Sequence, residues 1–328
     1  MIPPDFDAAL DVFRSSDNFA LIAHFRPDGD AIGSTIALGL TLRAMGKTVR
    51  LFNEDPVPER YRFLEGSGEI LPTPAELVDV DVVVSLDNGA WKRLGDRSMS
   101  ALSGVPLVVN IDHHGTNECF GTINCVMPGE AATACILYRM IGRLGVPMTP
   151  EVSRALYAAV STDTGSFQYE KTTPEVMRMA ADLIEHGVDV MEINRLLYQE
   201  VSFKSLLVTR EVLNGMRLEE NGSICSYALD HATKERLRAE PDDVADLVDV
   251  IRVIRGVRVA AIFEEMDDDR IRVSMRSKDP RVDVSALAAQ FGGGGHPLAA
   301  GIRMPGALSE ARERVLQAIR VACRAANV

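Results

Sequence analysis

Short apolar runs alternate with amphipathic stretches through the first half of the chain. "FALIAHF" (19–25), "VDVVVSLD" (80–87) and "PLVVNID" (106–112) are aliphatic or β-branched and end in polar residues, the pattern of strands buried on both faces. "TVRLFNE" (48–54) is another. "STIALGLTLRAMG" (34–46) reads as a helix, with Ser34 placed to cap its start and Gly46 to stop it. This βαβ rhythm predicts a doubly wound, mostly parallel sheet. Residues 131–145, 149–165 and 172–187 have helical periodicity. Pro150 falls in a first turn, and Thr173, Pro174 and Gly187 supply a cap, a first turn and a stop. Residues 189–218 are also largely helical in pattern.

The pattern changes after about residue 219. Asn221-Gly222 marks a hairpin turn followed by a strand, and 257–277 reads as two alternating strands joined by the acidic turn "EEMDDD". Residues 282–304 read as a helix, a glycine loop, and a further small-residue helix or strand. The expected architecture is α/β: a doubly wound domain over 1–190, a helical bridge over 191–218, and a smaller α+β domain with a mixed sheet over 219–328. No internal repeat or low-complexity tract interrupts it.

A length of 328 residues suits two domains, and 46% hydrophobic with 25% charged residues is an ordinary globular balance. No apolar run is long enough to span a bilayer, and "MIPPDFDAAL" lacks the basic region and apolar core of a signal peptide. The expectation is a cytoplasmic protein without a membrane partner. Lys plus Arg number 35 against 47 Asp plus Glu, a formal net charge of −12. That disfavours a long nucleic-acid duplex as partner but leaves room for a short anionic substrate held by metals and a few arginines. The five cysteines, Cys119, Cys125, Cys135, Cys225 and Cys323, form no C-x-x-C pair, so reduced structural thiols are expected.

Candidate chemistry gathers at the predicted strand ends. The first strand runs into "AHFRPDGDAIGS", with His24, Asp28 and Asp30; the second ends at Asp87; the third ends at Asp112-His113-His114; a later helix ends at Asp163. In open α/β sheets the ligand crevice lies outside these ends. Taken singly, each has an ordinary reading: Asp-Gly-Asp as a polar turn, His24 as a structural histidine, Asp87 or Asp163 as a helix cap. Together, His24, Asp28, Asp30, Asp87, His113 and Asp163 form a set whose carboxylates would repel one another without cations. Two divalent ions fit that count, with Asp87 able to bridge them. Oxygen and imidazole donors without thiolate favour Mn²⁺, with Mg²⁺, Co²⁺ or Fe²⁺ as alternatives. Four of the six histidines, His24, His113, His114 and His296, lie within these motifs or the glycine loop; His186 and His231 read as exposed or capping. Adjacent side chains on an extended chain point to opposite faces, so His113 and His114 are expected to do different jobs.

The second domain holds "QFGGGGHPLAAG" (290–301). Gly292, Gly293, Gly294 and Gly295 permit close backbone approach, their N–H groups could cradle an anion, and His296 could donate to a phosphate. A surface loop is the plain alternative. Arg276, near a strand end, is placed for bidentate phosphate contact or for solvent.

"HFRPDGDAIGS", "SLDNG", "NIDHHGTNECFG", "VSTDTGSF" and "FGGGGHPLAAG" together resemble the DHH phosphoesterase superfamily, over residues about 18 to 305 and in the family's order. The nearest likeness is to NrnA-type oligoribonucleases, with a DHH domain and a DHH-associated C-terminal domain. The resemblance implies that His24, Asp28 and Asp87 hold one manganese, and Asp30, Asp87, His113 and Asp163 a second. It places Asp87, Asp112, His113 and His114 in the catalytic group, with His114 facing the substrate phosphate and Asp112 behind the histidine pair. It assigns Arg276, Gly292, Gly293, Gly294, Gly295 and His296 to substrate. The implied activities are release of 5′-mononucleotides from RNA fragments of two to about five nucleotides, and removal of a phosphate from 3′-phosphoadenosine 5′-phosphate. The implied partners are short RNA oligonucleotides and small nucleotides, and a homodimer is a candidate assembly. The runner-up is a soluble phosphodiesterase for cyclic or linear dinucleotide messengers such as c-di-AMP, pApA or pGpG. A non-catalytic nucleotide sensor fits less well, because all six ligand positions are filled. Two positions depart from the family pattern: Cys135, where a glutamate is common, and Lys171, where an asparagine is common.

Overall fold

The computed structural model describes residues 4–326 and divides between Glu200 and Val201 into two compact units. In the first, β1 (Asn18–Ala23), β2 (Thr48–Asn53), β3 (Ile70–Pro72), β4 (Val82–Leu86), β5 (Val108–Asp112) and β6 (Ile123–Val126) form one parallel sheet in the order β3-β2-β1-β4-β5-β6. The chain winds outward from β1 on one side and from β4 on the other, so the switch point lies between them. Its helices are α1 (Pro4–Ser15), α2 (Gly29–Ala44), α3 (Asp96–Leu102), α4 (Thr133–Leu144), α5 (Pro150–Asp163), α6 (Pro174–Glu185) and α7 (Val190–Asn194). Phe19 and Leu21 of β1 enter a large core with α1, α2, α4 and α5, while Ala20 and Ile22 enter a smaller one with Phe52, Val83, Leu94 and Leu102. Burial on both faces is why β1 reads as an unbroken apolar run.

The start of α2 corrects the sequence expectation. The helix begins at Gly29, and Asp28 is its cap: Asp28 Oδ1 accepts from the Asp30 and Ala31 N–H groups, each at 3.1 Å. Ser34 lies one turn inside, and its hydroxyl donates to Asp30 Oδ1 at 3.0 Å. Gly46 does follow the helix end, at φ +82°. α2 is buried almost all round because α5 crosses it closely: a Cβ on Gly33 would lie 2.4 Å from the Ala155 carbonyl oxygen. That crossing sets Asp163, the last residue of α5, beside the start of α2.

The second unit contains α8 (Phe203–Gly215), β7 (Arg217–Glu219), β8 (Ile224–Leu229), α9 (His231–Leu237), α10 (Leu247–Arg252), β9 (Val259–Glu265), β10 (Arg270–Ser277), α11 (Val284–Ala289), β11 (Gly294–His296), β12 (Ala299–Pro305) and α12 (Leu308–Ala325). Its sheet runs β11-β12-β10-β9-β8-β7; β8 and β9 pair in parallel and the rest antiparallel, the mixed sheet expected. The expected hairpin turn is present, with Asn221 and Gly222 at φ +55° and +88°. Ile271, Val273 and Met275 of β10 pack on α11 and α12, while Arg272, Ser274 and Arg276 alternate to the other face, part-exposed.

The stretch across 189–218 is largely helical, as expected, but in two pieces: α7 leads into a π-helical turn at Arg195–Gln199, and α8 starts at Phe203. Of the two shapes open after the glycine loop, the strand is the one formed, with Ala299, Ala300 and Gly301 beginning β12. Part of the glycine loop is itself an edge strand, β11, because a Cβ on Gly293 would sit 2.2 Å from the Gly301 carbonyl oxygen and only glycine lets the backbones meet. Among the described residues no helix is long and apolar enough to cross a membrane.

Candidate metal centre

The carboxyl ends of β1, β4 and β5 and the end of α5 bring all six candidate ligands together. His24 follows β1, and its Nε2 lies 3.8 Å from Asp28 Oδ2 and 3.5 Å from Asp87 Oδ2. His113 follows β5, and its Nε2 lies 3.1 Å from Asp163 Oδ2, 3.5 Å from Asp87 Oδ1 and 3.9 Å from Asp30 Oδ2. One ligand atom from each of His24, Asp28 and Asp87 falls within 4.8 Å of the others, and the same holds for Asp30, His113 and Asp163. Asp87 therefore turns one oxygen toward each group. It does so from a left-handed backbone, φ +52°, a conformation that aspartate tolerates better than most residues and that is typical of functional turns.

The electrostatics show a site short of positive charge. Burial and the nearby Arg93 oppose protonation of His24, yet Asp28 and Asp87 push its pKa up to about 9. Burial likewise opposes a charged His113, but Asp163, then Asp87 and Asp30, push it up to about 10. Burial also resists ionisation of Asp87, but the His24 hydrogen bond and the neighbouring His114 and His113 rings hold it well below the carboxylate range. Asp30 moves the other way: burial, then repulsion from Asp87 and Asp163, raises it well above its ordinary value. The cluster takes up protons to offset its own negative charge. Hard oxygen donors and imidazoles that need cations for balance fit divalent metal ions.

Several residues that hold this centre carry no recognisable sequence signal. Ala132, at the cap position of α4, has no side-chain acceptor, and Asp30 serves instead. Its Oδ2 accepts from the Thr133 N–H at 2.6 Å and its Oδ1 from the Ala134 N–H at 3.0 Å. Thr133 Oγ1 donates to Asp87 Oδ1 at 3.1 Å. His24 Nδ1 lies 2.9 Å from the Phe25 carbonyl oxygen and 3.0 Å from Arg93 Nη2. The Phe25 carbonyl can accept a proton from Nδ1, which would leave the Nε2 lone pair facing the cluster, whereas the Arg93 guanidinium can only donate and favours the opposite tautomer.

The histidine pair departs from the expected geometry. β5 ends at Asp112, so strand alternation does not extend to the pair. The two rings meet edge to face, with centroids 4.8 Å apart, and both approach Asp87 Oδ1. What separates them is their hydrogen bonding. His113 Nδ1 lies 3.3 Å from the Glu130 carbonyl oxygen, whereas His114 Nδ1 lies 2.8 Å from Asp112 Oδ1. Burial works against ionisation of Asp112, but His114 and then Asn117 lower its pKa. Asn117 Nδ2 donates to Asp112 Oδ2 at 2.5 Å and to the Asn88 carbonyl oxygen at 3.2 Å, so it joins two site loops.

In the second unit, Arg276 is the penultimate residue of β10, with Nε 3.5 Å from Asp249 Oδ1 and Nη1 donating to the Met275 carbonyl oxygen at 3.2 Å. Gly294, Gly295 and His296 lie on the edge strand, and Gly292 precedes them at φ +75°. His186 caps α6, and His231 is exposed at the start of α9, as expected.

Residues 18–160 match the DHH family N-terminal domain, and residues 223–325 match the DHHA1 domain. The chain is 36% identical over 305 residues to the bifunctional oligoribonuclease and PAP phosphatase NrnA of Thermus thermophilus, covering 92% of this chain and 88% of that protein. It is 28% identical over 288 residues to the Bacillus subtilis protein of the same name, covering 87% and 88%. The crystal structure of an exopolyphosphatase-related protein from Bacteroides fragilis superposes with a TM-score of 0.89 at 26% identity, covering 99% of this chain and 98% of that one. The chain belongs to the DHH family, with a DHH N-terminal domain followed by a DHHA1 domain, and groups with the NrnA proteins.

Proposed function

We propose that this chain is a divalent-metal-dependent phosphoesterase. It would release 5′-mononucleotides from RNA fragments of two to about five nucleotides and remove a phosphate from 3′-phosphoadenosine 5′-phosphate. The observation that carries the reading is Asp87, one carboxylate with an oxygen 3.5 Å from each of two histidines that anchor separate donor groups. The names of the Thermus thermophilus and Bacillus subtilis relatives support the substrate class.

We assign His24, Asp28 and Asp87 to one ion and Asp30, Asp87, His113 and Asp163 to the other, with Mn²⁺ the favoured metal. Two divalent ions held there would activate water and stabilise charge developing on a phosphoryl group. The protein orients the reactants. His114, fixed through Nδ1 by Asp112, presents Nε2 to a phosphate oxygen. Asp112 accepts the Nδ1 proton and so fixes the direction of the ring. Arg276 and His296 are assigned to substrate binding, as are Gly292, Gly293, Gly294 and Gly295. β11 is an edge strand, and such strands leave one row of N–H groups unpaired by the sheet.

Initial rates on an RNA dinucleotide, 3′-phosphoadenosine 5′-phosphate, a cyclic dinucleotide and pyrophosphate, each with Mn²⁺, test the assignment. The first two are expected to be turned over fastest. Turnover confined to pyrophosphate or to the cyclic dinucleotide would overturn it.

A further inference from the structure

Residues 127–134 back the second donor group. The Met127 N–H donates to the Asp112 carbonyl oxygen at 2.8 Å, and the Glu130 N–H donates to the Met127 carbonyl oxygen at 3.0 Å. From this turn the Glu130 carbonyl faces His113, the Thr133 and Ala134 N–H groups hold Asp30, and the Thr133 hydroxyl holds Asp87. Three of the four ligands assigned to one ion thus lean on this single short segment.

One side chain from outside the segment pins it. Lys171, between α5 and α6, donates from Nζ to the Glu130 carbonyl oxygen at 2.9 Å and to the Pro128 carbonyl oxygen at 3.1 Å. The Glu130 carbonyl accepts from this ammonium on one side and lies 3.3 Å from His113 Nδ1 on the other.

We propose that Lys171 is a positioning residue for His113. By fixing the Pro128 and Glu130 carbonyls, it sets the acceptor that keeps the imidazole proton on Nδ1 and aims Nε2 at Asp30, Asp87 and Asp163. It thereby sets the affinity of that donor group for a divalent cation. An ammonium fits this role because it offers three donors from one point and no acceptor, so it can serve both carbonyls with charge-assisted bonds. An imidazole ligand depends on the partner of its other nitrogen for its tautomer and direction. Lys171 is not among the residues assigned to metal or to substrate. The inference rests on the two-ion reading above.

Mn²⁺ titration calorimetry on the EDTA-treated full chain separates the two ideas. The wild type is expected to bind two ions. Lys171→Ala, and Lys171→Met, which keeps the aliphatic stem, are expected to lose about ten-fold or more in affinity at one site. They should keep the other site and the melting temperature. Lys171→Arg, which restores cationic N–H donors, should recover most of the loss. Two wild-type affinities in both Lys171→Ala and Lys171→Met would overturn the inference, as would equal weakening of both sites together with a lower melting temperature. A wild type that binds no second ion would overturn the two-ion reading itself, and this inference with it.

Discussion

Asp112 holds His114 through a 2.8 Å contact between Oδ1 and Nδ1, and it is fully buried while His114 keeps a side exposed to solvent. The pair matches an orienting carboxylate behind a working imidazole. Asp112→Asn removes the charge but not the shape. It is expected to lower kcat by roughly 10²-fold or more, the scale of a lost acid–base or charge-stabilising group. Mn²⁺ stoichiometry should stay at the wild-type value, because Asp112 is not among the assigned ligands. Steady-state kinetics beside a metal titration checks both; an unchanged kcat would remove His114 from the chemistry.

Metal-free protein should lose stability as the solution turns alkaline. His24 and His113 have folded-state pKa values of about 9 and about 10, above the ordinary 6.5 of an unfolded histidine. A raised histidine stabilises the fold fully below pH 6.5, and that contribution disappears as pH climbs through 9 to 10. Bound cations replace those protons, so Mn²⁺ should offset the loss, and its affinity should rise with pH over the same window. Thermal melts with EDTA and with Mn²⁺ between about pH 6 and 10 test this. A metal-free melting temperature that rises across that range would contradict it.

The crossing of α2 and α5 gives a stability prediction with its own control. A Cβ on Gly33 would meet the Ala155 carbonyl oxygen at 2.4 Å, and a backbone atom of a packed helix cannot step aside cheaply. Gly33→Ala should cost about 1–3 kcal/mol. Gly142, exposed inside α4 with nothing within 4 Å of an added Cβ, is the opposite case. Gly142→Ala should stabilise by about 0.5–1 kcal/mol. Urea denaturation measures both, and equal effects would mean that the crossing can relax.

The parallel sheet is legible in the sequence because its strands are short and apolar on both faces, and the candidate ligand residues are legible because each sits at a strand or helix end. What the sequence hides is tertiary. The true start of α2 at Gly29 escapes a local reading because Asp28 is both a cap and a candidate ligand, and only the first role marks a helix boundary. Asp30 capping α4 and Lys171 reaching Glu130 join segments 103 and 41 residues apart, which no local pattern encodes. Strand alternation predicts that the histidine pair diverges, but β5 ends just before the pair, so that rule does not reach it. The glycine run has a clear composition and an ambiguous shape: the register of β11 against β12 decides it, and register is a property of the paired strands together.

The most direct measurement is the rate of an EDTA-stripped chain on an RNA dinucleotide, with and without added Mn²⁺, for the wild type and Asp87→Asn. If Asp87 joins two ions, the stripped wild type is inactive, Mn²⁺ restores release of 5′-mononucleotide, and Asp87→Asn stays folded at about a thousandth of that rate or less. Undiminished turnover by Asp87→Asn, or full activity of the stripped wild type, would contradict a shared-carboxylate, two-ion phosphoesterase.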